Sequence, residues 1–245
     1  GVQVINFRMA FFADAISHSA FTGVAAGLVL LVSPRMSMPV FALVVGLSII
    51  LVQRRTNLSS DTVIGVFFSA LIALGLAVVS REANLAREMQ TFLYGDILTI
   101  DTIEIYLLFV LFCIILVFQI WSYNRLLYIG VSPMLATVHR VNVATYQYTY
   151  AALLSLVVIF SVWAVGVLLV TALLIVPAAA ARNMTRTAGG MFWWSMIISI
   201  NSSTAGLVIS AQDWARTATG ATIILVSFGW FLVSLCVSYF LREKR

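Results

Sequence analysis

The chain has 245 residues, of which 62% are hydrophobic and only 9% charged, and its mean hydropathy is +1.06. A soluble domain carries about 25% charged residues, so this composition excludes a water-facing globular surface and indicates a polytopic membrane protein. The net charge of +5 is spread over short polar stretches, which excludes a nucleic-acid patch and fits the positive-inside bias of membrane chains.

Gly1 to Arg8 reads as the end of a preceding segment, so the single transmembrane domain of residues 1–245 is expected to lack an N-terminal helix. A first span covers Met9 to Val32. Pro34 and Pro39 are expected to bracket a tight turn, with a second span from Pro39 to Gln53 closed by Arg54 and Arg55. Asn57 to Asp61 supplies capping chemistry for a third span reaching Ser80. Residues 87–100 are too short and polar for a span and read as a re-entrant or interfacial helix. A fourth span runs from Thr102 to Ile120, followed by an amphipathic loop from Trp121 to Gln147. The apolar run from Tyr148 to Ala181 is too long for one crossing, and Trp163 to Gly166 is its expected turning point. Spans from Gly190 to Ser210 and from Gly220 to Leu241 complete an all-α bundle of about eight spans.

Loop charge orients this layout. Arg8, Arg54, Arg55, Arg125, Arg140, Arg182, Arg186, Arg242, Lys244 and Arg245 fall on one side. Arg35, Arg81, Arg87 and Arg216 fall on the other, which accounts for all 14 cations. The richer side is cytoplasmic, and the C-terminus lies with it. Cys113 and Cys236 sit inside apolar runs with no ligand spacing, and are expected to be buried packing residues.

Asp14 and His18 carry the chemistry. They stand four residues apart in an otherwise apolar segment, so they share one helix face. Ionisable side chains at membrane depth are costly and mark ion paths, proton relays or metals. A carboxylate and an imidazole are competent ligands for zinc, manganese or iron in the divalent state. Two ligands make a weak site. Two chains meeting on a two-fold axis would converge two Asp and two His, neutralising a divalent cation. The alternatives are a proton relay in a cation/proton secondary transporter, and an Asp–His pair that only fastens helices.

Ser19, Gly23 and Gly27 recur every four residues beside this pair, as do Ser202, Gly206 and Ser210 further on. Such stripes let helix backbones approach in a bilayer, as intrachain packing or as a subunit or gate interface. His139 reads as a solvated loop histidine, and Asp61 as a helix N-terminal residue. Asp96, Asp101 and Glu104 are solvated polar positions near the outer interface. Asn201 to Thr204 suit interhelical hydrogen bonds. The chain has no phosphate-binding Gly-Lys loop, no His-Glu-x-x-His and no Gly-x-Ser-x-Gly, so a catalytic role is not expected.

The run Arg8-Met9-Ala10-Phe11-Phe12-Ala13-Asp14-Ala15-Ile16-Ser17-His18-Ser19 resembles the signature of the zinc/manganese/iron ABC transporter permeases, with Gly23 and Gly27 continuing it. Thr56 to Val66, Leu93 to Leu98, Val165 to Val170 and Ile175 to Arg182 resemble further stretches of that family in the same order. The resemblance implies the membrane subunit of an ATP-driven bacterial metal importer in the cytoplasmic membrane. Its metal residues then fall on Asp14 and His18. The segment through Pro177, Ala178, Ala180, Arg182, Asn183 and Thr185, up to Thr187, becomes a cytoplasmic coupling loop for a separate ATP-binding subunit, with Asn124 to Gly130 as a second contact. The implied partners are that subunit, a second permease copy and an extracytoplasmic metal-binding protein. The implied cargo is a divalent metal ion, with no permanently bound cofactor. The chain departs from the family pattern at Ala13, commonly Gly there, and at Trp163, where a polar residue is frequent. It also departs in Gln212 to Arg216, a region often containing Pro.

Overall fold

Helices form wherever the chain is apolar for long enough, because a backbone removed from water must bond to itself. The computed structural model describes residues 1–29, 31–80, 102–213 and 217–243. Its helices are α1 (Val2–Asn6), α2 (Phe12–Val29), α3 (Pro34–Arg55), α4 (Ser60–Val79), α5 (Thr102–Val131), α6 (Pro133–Val138), α7 (Val143–Val165), α8 (Val167–Met184), α9 (Ala188–Ser210) and α10 (Thr219–Glu243). Among the described residues, seven helices are long and apolar enough to cross a membrane, namely α3, α4, α5, α7, α8, α9 and α10. The eighth long helix is α2, 18 residues whose apolar run is diluted by Asp14, Ser17, His18 and Ser19.

Local chemistry sets the boundaries. Ser59 caps α4, its Oγ accepting from the Thr62 N–H at 3.2 Å, with Asp61 in the first turn. Asn142 and Thr187 cap α7 and α9 in the same way. Arg54 and Arg55 lie in the last turn of α3, where cations meet the negative end of the helix. Gly166, at φ 85°, separates α7 from α8 at the expected turning point. That φ is one that a side chain disfavours.

Three segments differ from the sequence expectation. Pro34 and Pro39 do not bracket a turn: α3 starts at Pro34 and Pro39 lies inside it. Proline fits the first helical turn, where its missing N–H has no intrahelical partner to lose, whereas Pro39, in the second turn, leaves the Arg35 carbonyl without its i+4 donor while the helix continues past it. Trp121 to Gln147 is not a loop. With no proline before Pro133, α5 continues to Val131, about 45 Å in all at 1.5 Å per residue. Ser132 and Pro133 then start α6, and α7 begins at Val143. The polar residues Tyr123, Asn124 and Arg125 gave a false loop signal, because polarity without a breaker does not end a helix. Cys113 and Cys236 are exposed on helix faces, not buried; an apolar run crossing a bilayer needs no protein neighbour on every side. The re-entrant helix expected over residues 87–100 lies outside the described residues.

The chain forms two compact units. One contains Phe7–Val167, in which α2 packs against α3, α4 and α7, and α5 and α6 pack on each other and on α7. Leu126, Ile129, Ala136 and Tyr146 form a small core where α5, α6 and α7 meet. Arg125 donates a hydrogen bond to the Tyr146 hydroxyl and its guanidinium lies 4.9 Å from the Trp121 ring centre. Arg54 donates to Gln147 Oε1 at 2.8 Å. The C-terminal end of α3, the start of α7 and the Arg125 end of α5 therefore share one end of this unit. Arg35 is at the other, over the Trp163 ring.

The second unit comprises Gly1–Asn6 and Leu168–Arg245. Here α9 and α10 pack closely at Gly206, and Trp230 Nε1 donates to Asn201 Oδ1 at 2.9 Å, the interhelical bond that the polar cluster suggested. Asn183 Nδ2 donates to Ser234 Oγ at 3.1 Å, tying α8 to α10.

Candidate metal site

The site begins where α2 begins. Arg8, in a left-handed conformation at φ 55°, turns the chain, and the Phe12 N–H bonds to the Met9 carbonyl at 3.0 Å. Asp14 therefore falls in the first turn of α2, where the free N–H groups and the positive helix end favour a carboxylate. His18 follows one turn later. Both side chains are half-buried while Ala13, Ala15, Ile16, Ser17 and Ser19 around them are buried, so the pair shares the one accessible strip of this part of α2.

The Asp14 charge acts on the His18 imidazole, and Asp14 is itself engaged with a neighbour. The His18 ring stands edge-on to Phe68 of α4, with centroids 5.1 Å apart at 85°, and tilted against Phe21 at 5.8 Å. Such aromatic contacts contribute about 0.5–1.5 kcal/mol and restrict the ring's rotation. Ser17 is fully buried and its hydroxyl has no hydrogen-bond partner. Among the described residues no group of three or more His, Cys, Asp or Glu is placed to hold a metal. One chain thus offers an imidazole nitrogen and carboxylate oxygens, fewer than the four donors of a closed zinc site.

The small-residue stripe holds α2 against its neighbours within the same unit. Ser19 is buried, and its Oγ bonds to the Ile16 carbonyl at 2.6 Å. A Cβ on Gly23 would lie 3.0 Å from Met38 Cα, and one on Gly27 would meet Ser37 of α3. On the α4 side, Thr22 Oγ1 donates to the Leu71 carbonyl at 3.1 Å. Sequence reading missed Phe68, Thr22 and Leu71. No local signal marks them, since they lie about fifty residues apart along the chain.

The segment expected to form a coupling loop is only partly a loop. Pro177 to Met184 belong to α8, and the turn to α9 contains Thr185, Arg186 and Thr187. Pro177, Ala178 and Ala180 are buried, Arg182 is exposed, and Asn183 and Thr185 are half-buried. Asn124 to Gly130 is likewise helical, with Leu126 and Ile129 in the interior and Tyr128 stacked on His139 at 4.8 Å. Exposed apolar residues near it include Val131 of α5 and Met134 and Val138 of α6, at 72%, 79% and 73% exposure.

A bundle of apolar helices with a carboxylate–imidazole pair on its first long helix defines a polytopic membrane permease. The chain belongs to the ABC 3 transport family, whose model matches residues 1–238. It is 34% identical over 244 residues to the high-affinity zinc uptake system membrane protein ZnuB of Haemophilus influenzae, covering 100% of this chain and 91% of that one. To the manganese import system permease protein ScaB of Streptococcus gordonii it is 30% identical over 239 residues, covering 97% of this chain and 84% of the relative. Among solved structures, the complex described as PsaBC from Streptococcus pneumoniae with Fab matches with a TM-score of 0.82 at 27% identity, covering 100% of this chain and 88% of that chain. The protein is therefore an ABC transporter permease of multi-pass helical fold.

Proposed function

We propose that this chain is the permease subunit of an ATP-driven importer of a divalent transition metal, zinc or manganese foremost, in a bacterial cytoplasmic membrane. The observation that carries this reading is the Asp14–His18 pair, one helical turn apart and half-buried in an otherwise apolar wall. The relatives named above for zinc uptake and manganese import support the same cargo. Iron is a third divalent ion that this donor set accepts.

Two permease copies meet so that both pairs face one path, giving two nitrogen and two oxygen donors and two negative charges. An extracytoplasmic binding protein delivers the ion. Asp14 and His18 take it in place of water, with His18 neutral and Asp14 ionised. ATP hydrolysis on a separate subunit changes the packing of the helices, and the ion leaves inward. The C-terminus lies in the cytoplasm in this orientation. Arg182, with Arg186 and Thr187, offers exposed surface for the ATP-binding subunit. Pro177, Ala178, Ala180, Asn183 and Thr185 hold that end of α8 in place. Asn124 and Tyr128 of the Asn124–Gly130 stretch, with Met134 and Val138 of α6 beside them, give a second contact. Ser19, Gly23 and Gly27 keep the wall of the path close-packed.

The test is uptake and ATP turnover in proteoliposomes, with the permease assembled with its ATP-binding subunit and binding protein. Zinc, manganese and iron are supplied separately to wild type, Asp14→Asn and His18→Ala. ATP-dependent uptake that collapses in both assembled variants is the expected result. Uptake independent of ATP but driven by a proton gradient would replace the proposal with a secondary transporter in which the pair relays protons. Uptake that survives both substitutions would remove Asp14 and His18 from the path.

A further inference from the structure

Away from the metal pair, α3, α5 and α7 enclose a cavity of about 440 Å³ at the Arg35 end of the Phe7–Val167 unit. Its accessible lining is apolar, with Met36 at 66% and Val40 at 60% exposure, backed by the buried Met38 and Ile159. Leu107 of α5 lines it at 44% exposure, so the cavity opens sideways between helices. Within the most apolar 18-residue stretch of α5 only 6% is buried inside the protein, so that part of α5 faces the acyl region of the bilayer. Water does not fill an apolar cavity of this kind, and its volume lies in the range of small-molecule sites.

The rim carries charges of both signs. Arg35, with its guanidinium carbon 5.9 Å from the Trp163 ring centre, stands on one side, and the half-buried Glu104 on another. Arg and Trp together suit the headgroup level of a membrane. A guanidinium binds phosphate through charge-assisted hydrogen bonds. A carboxylate on the same rim repels an anionic headgroup and attracts an ammonium.

We propose that this cavity binds one zwitterionic phospholipid of the phosphoethanolamine class, an acyl chain over Met36, Val40 and Leu107, the phosphate on Arg35 and the ammonium toward Glu104. The bound lipid wedges α5 against α3 and α7 and gives the permease a preference among membrane lipids.

The full chain is purified from bacterial membranes in mild detergent, and retained lipid is quantified by mass spectrometry. Wild type should retain phosphatidylethanolamine at close to one per chain. Leu107→Trp, which fills the cavity, and Arg35→Gln should lower occupancy about tenfold or more, the loss expected for a charge-assisted contact. Glu104→Gln should keep a lipid while raising the share of phosphatidylglycerol. Absence of phosphatidylethanolamine from wild type, equal retention of the anionic lipid, or unchanged occupancy in Leu107→Trp and Arg35→Gln would each overturn the proposal. A second readout does not depend on those variants folding. Phosphatidylethanolamine with brominated acyl chains should quench a part of the wild-type tryptophan emission that Trp163→Phe lacks. Equal fractional quenching of the two proteins would also overturn it.

Discussion

Replacing Gly23 by alanine should loosen α2 from α3 and, with it, the helix that carries Asp14 and His18. The added Cβ would sit 3.0 Å from Met38 Cα and 3.3 Å from Phe41 Cβ. The first of these is backbone and cannot rotate away, so the two helices must part by a few tenths of an ångström. Overpacking of this kind costs about 1–3 kcal/mol. Alanine recovers about 0.5–1 kcal/mol through its better helix propensity. The net loss centres on about 1 kcal/mol and spans about 0–2.5 kcal/mol, so a fall of roughly 2–4 °C in the midpoint is expected for a protein this size. Gly206→Ala should lose more, because its Cβ would come within 2.6 Å of Ile223 Cα and 2.8 Å of Ile223 N. Gly65 and Gly229 are the internal controls: nothing lies within 4 Å of a Cβ at either. Alanine there should be neutral or stabilise by up to about 1 kcal/mol. The assay is thermal unfolding in detergent at one fixed scan rate, since apparent midpoints of irreversible transitions depend on it. The order Gly206→Ala, Gly23→Ala, wild type, Gly65→Ala is expected from least to most stable. A Gly23→Ala protein that melts with or above Gly65→Ala would refute the close approach of α2 and α3.

Thr22→Val removes the hydrogen bond to the Leu71 carbonyl that ties α2 to α4, and should cost about 0.6–2 kcal/mol in the same unfolding assay. Ser59→Ala removes the cap on the Thr62 N–H and should cost about 1 kcal/mol, with Ser59→Asp restoring most of it. Metal uptake in proteoliposomes should fall as the medium is acidified through the range where imidazoles protonate. The sign follows from the binding forms, since a proton on His18 or Asp14 occupies the lone pair that the metal needs. Uptake that rises on acidification would contradict metal ligation by these residues.

The Asp14–His18 pair shows why a candidate site can be half legible. Asp14 and His18 stand out in the sequence because polar residues are rare among apolar ones, and because four residues make one helical turn. The ring that orients His18 does not, because Phe68 is one of 16 phenylalanines and nothing local singles it out. The coupling segment shows the converse. Its place after Pro177 is readable, yet whether it loops or continues as helix depends on what it packs against, and burial of Ala178 and Ala180 keeps α8 going to Met184.

By itself the sequence determined the membrane class, a helix cap within Asn57–Asp61, a break within Trp163–Gly166 and the shared helix face of Asp14 and His18. Each follows from local composition or from a period of a few residues, which the chain carries wherever it folds. The tertiary structure alone decided which helices Gly23, Gly206 and Thr22 pack against. It also decided that Arg35, Glu104 and Trp163 share the rim of one cavity. Those outcomes depend on pairs of residues far apart in the chain, whose energies are felt only after the helices have found their neighbours.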